Sequence, residues 1–312
     1  VTQKGKKKLI YIGTTLLALI GLLAINITPV LHFMLVSMAS TELTSLSENT
    51  AKFSKKIKWF DDYYTVQYLD ESTIAIGEPR YWQQNINYLI IGEKQALLFD
   101  SGPGHRNIRP VVESLTDLPV IVMASHYHYD HVGNMTKFEN QYLSSLQVDI
   151  SEVKSKYPFI PKDNRFITEM AEKEGLDAPA LNPVKIVKEY ESIDLGGRAV
   201  EVLFTPGHST DSIMVFDKER NQLFSGDFVF AFISAAKGLI SSESQQDYIE
   251  STEMLLTKIN DGTGIYSAHY GNPNAVAFSY EDIRDMNSFF KQNEGGFFPK
   301  FDKINDRIEA VY

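Results

Sequence analysis

Between Trp59 and Phe224 the chain alternates short apolar runs with polar breaks, and most of the runs are too short to be helices. Tyr63–Tyr68, Thr73–Ile76, Asn87–Ile91 and Ala96–Phe99 predict strands, with Asp70-Glu71 and Gly92-Glu93 as turns between them. The pattern then predicts a helix near Ile108–Leu115 and a strand over Val120–Ala124. A charged helical stretch from about Asp163 to Glu174 leads to strands Lys185–Val187 and Val200–Phe204, which flank a Gly196-Gly197 turn. Ser212–Phe216 and Gln222–Phe224 predict a hairpin closed around Glu219–Asn221. Helical apolar spacing returns over Tyr248–Ile259 and Ile283–Phe290. Strands interleaved with helices place the chain in the α/β class, with sheets flanked by helices.

The first residues follow a different pattern. From Leu9 to Thr41 there is no Asp, Glu, Lys or Arg, and Lys4, Lys6, Lys7 and Lys8 stand immediately before this stretch. About 20 apolar residues suffice to cross a bilayer as a helix, and a basic flank keeps the N-terminus cytoplasmic. The expected organisation is therefore a basic tail over residues 1–8 and a transmembrane anchor or uncleaved signal over 9–31. A polar linker over 32–58 and one catalytic domain over 59–312 complete it. This implies a single-pass cell-membrane protein with an extracytoplasmic catalytic domain, or a secreted one if cleavage follows Ala39 in Ser37-Met38-Ala39.

Composition narrows the chemistry. The formal net charge is −10, which disfavours a nucleic-acid partner. The absence of cysteine removes disulfides, thiolate nucleophiles, zinc ribbons and iron–sulfur sites together.

Four apolar runs end alike. VIVMAS leads to His126, His128, Asp130 and His131, VEVLFTPG to His208, QLFSG to Asp227 and GIYSA to His269. Each run is followed by a turn that presents a metal-capable side chain, and five of the seven histidines are used in this way. Alternation along an extended chain would point His126, His128 and Asp130 in one direction, with His131 turning aside. Three converging imidazoles suit zinc with one position open, and the extra Asp and His suggest a second ion. His32 and His105 are read as non-ligands, although His105 could line the cleft, and Tyr127 and Tyr129 as packing residues.

LLFDSG, SHYHYDH, TPGH, SGD and SAH, in that order, resemble the five motifs of the metallo-β-lactamase superfamily, over about Asn87 to His269. The resemblance implies an αββα sandwich with a dinuclear site at the edge of two sheets. It implies that His126, His128 and His208 hold a first Zn2+, that Asp130, His131 and His269 hold a second, and that Asp227 bridges both. Asp100 would orient the ligands from behind. Iron or manganese could replace zinc.

The reaction expected of such a centre is hydrolysis. A metal-bridging hydroxide would attack an ester, thioester, lactone or phosphodiester, with Asp130 as proton acceptor. The aspartate at position 227 is similar to the glyoxalase II, lactonase and phosphodiesterase branches and differs from the lactamase branch with Ser there, while lactamases with a zinc-binding cysteine are not matched by a chain that has none. Phe230 stands where acyl-homoserine lactonases carry a Tyr, and only 43 residues follow His269, little room for the glutathione-binding domain of glyoxalase II. Flavodiiron oxidoreductases carry Glu in the place of His128. Three other readings stay open: a non-catalytic metal-bound scaffold or sensor, an iron-containing oxidoreductase, and a β-lactam hydrolase.

The expected partner is a small molecule, amphiphilic if the site lies at a membrane, while the oligomeric state is not legible. The insertion between Asn134 and Val184 is expected to cover the cleft, with Phe159, Phe166 and Met170 as lining or core. The segment Phe228–Ile240 around Lys237 is expected to form another wall.

Overall fold

The computed structural model describes residues 36–37, 39–44, 56–148, 158–161, 165–235, 245–269, 277–293 and 300–312. The chain divides into two units, Val1–Ala39 and Ser40–Tyr312, and the fold belongs to the second.

Eight strands form the first sheet in chain order: β1 (Ile57–Trp59), β2 (Thr65–Tyr68), β3 (Thr73–Gly77), β4 (Ile86–Ile91), β5 (Ala96–Phe99), β6 (Val120–Met123), β7 (Asn140–Ser144) and β8 (Lys185–Val187). The first five pair antiparallel, and β5 to β8 pair parallel. Parallel pairing requires crossovers, and helix α1 (Arg109–Leu115), with a proline in its first turn, supplies the one between β5 and β6. The strand interiors are apolar on both faces because both faces are covered. Tyr88, Ile90, Leu97, Phe99, Ile121 and Met123 enter one core cluster. The alternating residues Leu89, Leu98 and Val122 enter another, together with Val111 and Val112 of α1.

The second sheet has the order β14-β12-β11-β10-β9, from β9 (Ser192–Asp194), β10 (Ala199–Phe204), β11 (Ile213–Asp217), β12 (Gln222–Gly226) and β14 (Gly264–Ser267). Val202, Val215 and Phe224 stand opposite one another in register and so share a face. That face meets the first sheet, because the Phe224 ring lies 4.9 Å from Tyr88. Helices α4 (Gln245–Lys258) and α5 (Tyr280–Gln292) join the core on the other side, where the Tyr248 and Phe290 rings stack at 5.2 Å. A capping box between Ser279 and Asp282 starts α5. The layers are thus helix, sheet, sheet, helix: an α/β sandwich with mixed sheets. A third sheet, in the order β13-β16-β15, joins β13 (Phe232–Ser234) to the late strands β15 (Phe301–Lys303) and β16 (Glu309–Val311).

Arg198 fastens the two large sheets at one end. Its guanidinium donates to Asp217 Oδ2 at 2.6 Å, Thr73 Oγ1 at 2.6 Å and the Ser72 and Ile91 carbonyls at 2.8 and 3.1 Å. Arg198 and Asp217 are both buried.

Two expectations change. No helix among the described residues is long and apolar enough to cross a membrane. Crossing takes about 20 apolar residues, whereas α4, the longest described helix, has 14 and carries Asp247, Glu250, Glu253 and Lys258. This finding overturns the expected single-pass membrane location and the extracytoplasmic placement that went with it. The apolar stretch that prompted it, residues 9–31, lies outside the described residues, as does most of 32–58. The insertion after Asn134 is also not a simple cover, because its segment NQYLS is β7, paired with β6 inside the first sheet. Helix α3 (Arg165–Lys173), later in the insertion, lies beside the site.

Candidate metal centre

Strands β5, β6, β10, β12 and β14 all discharge their C-terminal ends at one edge of the sandwich, and a functional side chain follows each. Loops beyond the carboxyl ends of strands are where α/β sheets place ligand sites. Gly226 closes β12 with φ +52°, and a Cβ there would meet Ser125 at 2.4 Å. Only glycine lets Asp227 approach the β6 loop so closely.

The His126–His131 segment does not converge through strand alternation as expected. β6 ends at Met123, the chain turns through Ser125–His128, and a single helical turn, α2 (Tyr129–Val132), carries Asp130 and His131. Extended backbone would send Asp130 and His131 to opposite faces. On α2 both reach the site.

The structure brings all seven expected ligands together. Three groups have donor atoms within 4.8 Å of one another: His126, His128 and His208; His126, His131 and Asp227; and Asp130, His131 and His269. In the first, His208 Nε2 lies 3.1 Å from His128 Nδ1, and the His126 and His128 rings are 4.3 Å apart. In the third, Asp130 Oδ2 lies 3.3 Å from His131 Nε2 and 3.2 Å from His269 Nε2. Asp227 spans the two, with Oδ1 3.4 Å from His131 Nε2 and Oδ2 3.6 Å from His208 Nε2 and 3.3 Å from His269 Nε2.

Contacts behind the rings decide which nitrogen is free. Ser125 Oγ sits 3.0 Å from His126 Nδ1, the Gln83 carbonyl accepts from His269 Nδ1 at 3.0 Å, and Asp100 Oδ2 faces His131 Nδ1 at 3.2 Å. Each contact leaves Nε2 for the centre, which is how protein scaffolds orient metal-binding imidazoles. Asp100 also accepts from the Ser125 amide at 2.7 Å, from a left-handed backbone conformation (φ +67°) that Asp tolerates better than most residues.

A divalent cation fits this donor set. His126 Nε2, His131 Nε2 and Asp227 Oδ1 are buried and have no hydrogen-bond partner among the described residues. Buried polar atoms without a partner are rare unless they serve an ion or a reaction. Imidazole nitrogens with carboxylate oxygens suit divalent transition metals.

The two halves differ in charge. Burial pushes His128 down to about 4 and His208 down to about 3, and it holds His126 well below the usual histidine range. These rings are neutral, with lone pairs available near pH 7. Burial also opposes charge on His269, but Asp227 and Asp130 outweigh it and push that ring up to about 10. His131 is held well above its usual range against burial by Asp130, Asp227 and Asp100. Burial would raise Asp130 and Asp227 too, yet His131 and His269 hold both carboxyls well below the ordinary value.

Other residues fall into place around the seven. The Phe230 ring lies 6.3 Å from His208 and 6.1 Å from His269, an apolar wall against both halves. Phe228 is fully buried core instead, and Lys237 lies outside the described residues. Phe159 packs on Tyr127 with ring centres 5.4 Å apart, Met170 is buried, and the Phe166 side chain and His32 lie outside the described residues. His105 binds Glu174 Oε2 at 2.8 Å. That buried carboxylate also accepts from Trp82 Nε1 at 2.7 Å, Tyr129 at 2.9 Å and Tyr81 at 3.0 Å. Tyr129 therefore does more than pack, since it ties α2 to the residue after α3.

Sequence reasoning missed Glu174, Gln83 and Asn85. Glu174 was read as part of a charged helix, Gln83 acts through its backbone, and Asn85 carries no metal-ligand signal. The Asn85 amide donates to the Asp130 carbonyl at 2.8 Å and to Asp130 Oδ2 at 3.0 Å.

Comparison with known proteins agrees with this architecture. The human acyl-coenzyme A thioesterase MBLAC2 is 25% identical over 223 residues, covering 60% of this chain and 76% of that protein. The probable metallo-hydrolase YqgX of Bacillus subtilis is 22% identical over 182 residues, covering 58% and 83%. The hydroxyacylglutathione hydrolase GloC of Haemophilus influenzae is 29% identical over 152 residues, covering 48% and 68%. Among solved structures, a metallo-beta-lactamase from Pontibacter korlensis superposes with a TM-score of 0.52 at 14% identity. It covers 74% of this chain and the whole of that one, a likeness of fold alone. The profile of the metallo-beta-lactamase superfamily matches residues 81–261, more than half the chain. With the sandwich, the strand-end loops and the His/Asp cluster also present, the chain belongs to the metallo-beta-lactamase superfamily and is a metal-dependent hydrolase of that family.

Proposed function

We propose that residues 59–312 form a dinuclear metallo-hydrolase that cleaves acyl thioesters. The carrying observation is the pair of three-donor groups, His126/His128/His208 and Asp130/His131/His269, with Asp227 between them. In this reading each group would hold one divalent cation, and Asp227 would add a carboxylate donor between them. Two Zn2+ ions match the nitrogen and oxygen donors, and iron or manganese are the other candidates. When bound, the ions polarise a substrate carbonyl and make a water-derived nucleophile available near neutral pH.

The chain's own residues do the rest. His126, His128 and His208, neutral because burial holds their pKa values down, offer lone pairs without first losing a proton. Asp130, kept anionic by His131 and His269, is the group placed to accept the proton of the attacking water. Asp100 keeps the His131 ring turned inward. Phe230 presents carbon to the reacting region and donates no hydrogen bond, so this wall gives no help to an oxyanion or a departing alkoxide. That favours a leaving group that departs unaided. A thiol, with a pKa of about 8.5, leaves as thiolate far more readily than an alcohol. The names of the human and Haemophilus influenzae relatives, an acyl-coenzyme A thioesterase and a hydroxyacylglutathione hydrolase, support the same substrate class.

The test is turnover of a panel comprising acyl-coenzyme A, acylglutathione, a carboxylic ester, a lactone, a β-lactam and a phosphodiester, with metal content measured on the same protein. Thioesters are expected to be cleaved fastest, with activity lost to a chelator and restored by Zn2+. Faster cleavage of the phosphodiester or β-lactam, or no turnover by protein holding two metal equivalents, would overturn the proposal.

A further inference from the structure

The segment Gln83–Asn85, which leads into β4, supplies no ligand and yet reaches two of them. Asn85 is buried, and its amide donates both to the Asp130 carbonyl at 2.8 Å and to Asp130 Oδ2 at 3.0 Å. That oxygen is the one lying 3.2 Å from His269 Nε2 and 3.3 Å from His131 Nε2. The Asn85 backbone forms an isolated antiparallel bridge with His269, and the next amide, Ile86, donates to the Ala268 carbonyl at 2.8 Å. Two residues earlier, the Gln83 carbonyl accepts from His269 Nδ1 at 3.0 Å. Gln84, between them, takes φ +56°, a left-handed conformation uncommon for a residue with a side chain. This turn lets neighbouring residues grip Asp130 and His269 together, and strained backbone of this kind concentrates at functional sites.

We infer that Asn85 is a positioning residue for the second metal, its amide locking the Asp130 carboxylate in the orientation that sets Oδ2 beside His131 and His269. The inference rests on the dinuclear reading above and goes beyond it, because it makes occupancy of one half depend on a residue outside the ligand set. A side chain that only fastened the loop would act on folding as a whole. A side chain that aims Asp130 acts on one cation and spares the other.

The experiment is a Co2+ titration of metal-free full-length protein, following visible absorption and bound metal, for the unmodified chain, Asn85→Leu and Asn85→Asp. Leucine keeps the volume and removes the donor; aspartate keeps the shape and replaces the donor with an acceptor. The melting temperature of each metal-free protein is read alongside. The expected result is a first equivalent that binds as in the unmodified chain and a second weakened by about 10- to 100-fold, as when a residue supporting a ligand is lost. If Asn85→Leu fails to fold, Asn85→Asp carries the same comparison. Two equivalents bound with unchanged affinity in the variants would overturn the inference. So would an equal weakening of both that tracks a lowered melting temperature. An unmodified chain that binds fewer than two equivalents would overturn the dinuclear reading, and this inference with it.

Discussion

The sandwich buries charge at both ends of the same strands, and the two ends are built on opposite principles. Before β10, Arg198 meets Asp217, Thr73 and two carbonyls, so its donors are met by protein acceptors within 3.1 Å. After β10, β12 and β14, histidines and aspartates crowd together with His126 Nε2, His131 Nε2 and Asp227 Oδ1 left over. A buried ion pair completed by hydrogen bonds holds a fold together, whereas a buried cluster with atoms to spare is organised around something the protein does not itself provide. Satisfaction, more than burial or charge, separates the structural end from the functional one.

Asp227→Ala attacks the unsatisfied end at its centre. It should lower kcat/KM by about a thousandfold or more, since metal activation contributes several kcal/mol. Bound metal should fall with it, as read by elemental analysis and kinetics on one sample. Near-normal metal content and turnover would erase the distinction between the ends. Arg198→Met strikes the satisfied end and should reverse the pattern. Removing one partner of a buried pair costs about 3–5 kcal/mol, so urea denaturation should show a large loss while the metal stoichiometry of folded protein stays the same.

Glu78 is an intermediate case, a fully buried carboxyl with an amide partner, Asn87 at 3.0 Å, and no cationic side chain bonded to it among the described residues. Burial, only partly opposed by Asn87, pushes its pKa up to about 7 from an ordinary 4.5. A folded pKa above the unfolded one means that the folded state favours the proton. The group is therefore neutral to stability below about pH 4.5, and stability declines from there to pH 7. Glu78→Gln should stabilise the protein by about 3 kcal/mol at pH 8 and by almost nothing at pH 4, measured by denaturation at both. Glu174→Gln should have the smallest effect, about 1–2 kcal/mol of lost stability, because the amide keeps one accepting oxygen and leaves the donors on its other side unmet.

The sequence exposed the parts whose chemistry requires particular residue types. Four histidine- or aspartate-bearing strand ends were legible because imidazoles and carboxylates after apolar runs are a rare pattern. The strands of both large sheets that alternate or run apolar were legible for similar reasons, to within a residue or two at their ends. What escaped was carried by backbone or by unspecific side chains: the Gln83 carbonyl, the Asn85 amide, and Glu174 at the end of a helix. Elements of three or four residues, such as α2, β13, β15 and β16, are shorter than the stretches over which helical or strand periodicity shows. The first residues failed differently. An uncharged apolar stretch is a statement about composition, and the membrane location drawn from it did not survive the finding that no described helix is long and apolar enough to span a bilayer.

The small third sheet has a practical consequence. β13 starts two residues after Phe230, and its partner is β16, with Glu309 N donating to the Ala231 carbonyl at 2.9 Å and Ala235 N to Val311 at 2.8 Å. The aromatic face against the histidines is thus buttressed by residues remote in the chain. A purification handle or a proteolytic nick close to Val311 would loosen that buttress and shift substrate preference in an otherwise intact hydrolase, so assays of selectivity should be run on protein left unaltered there.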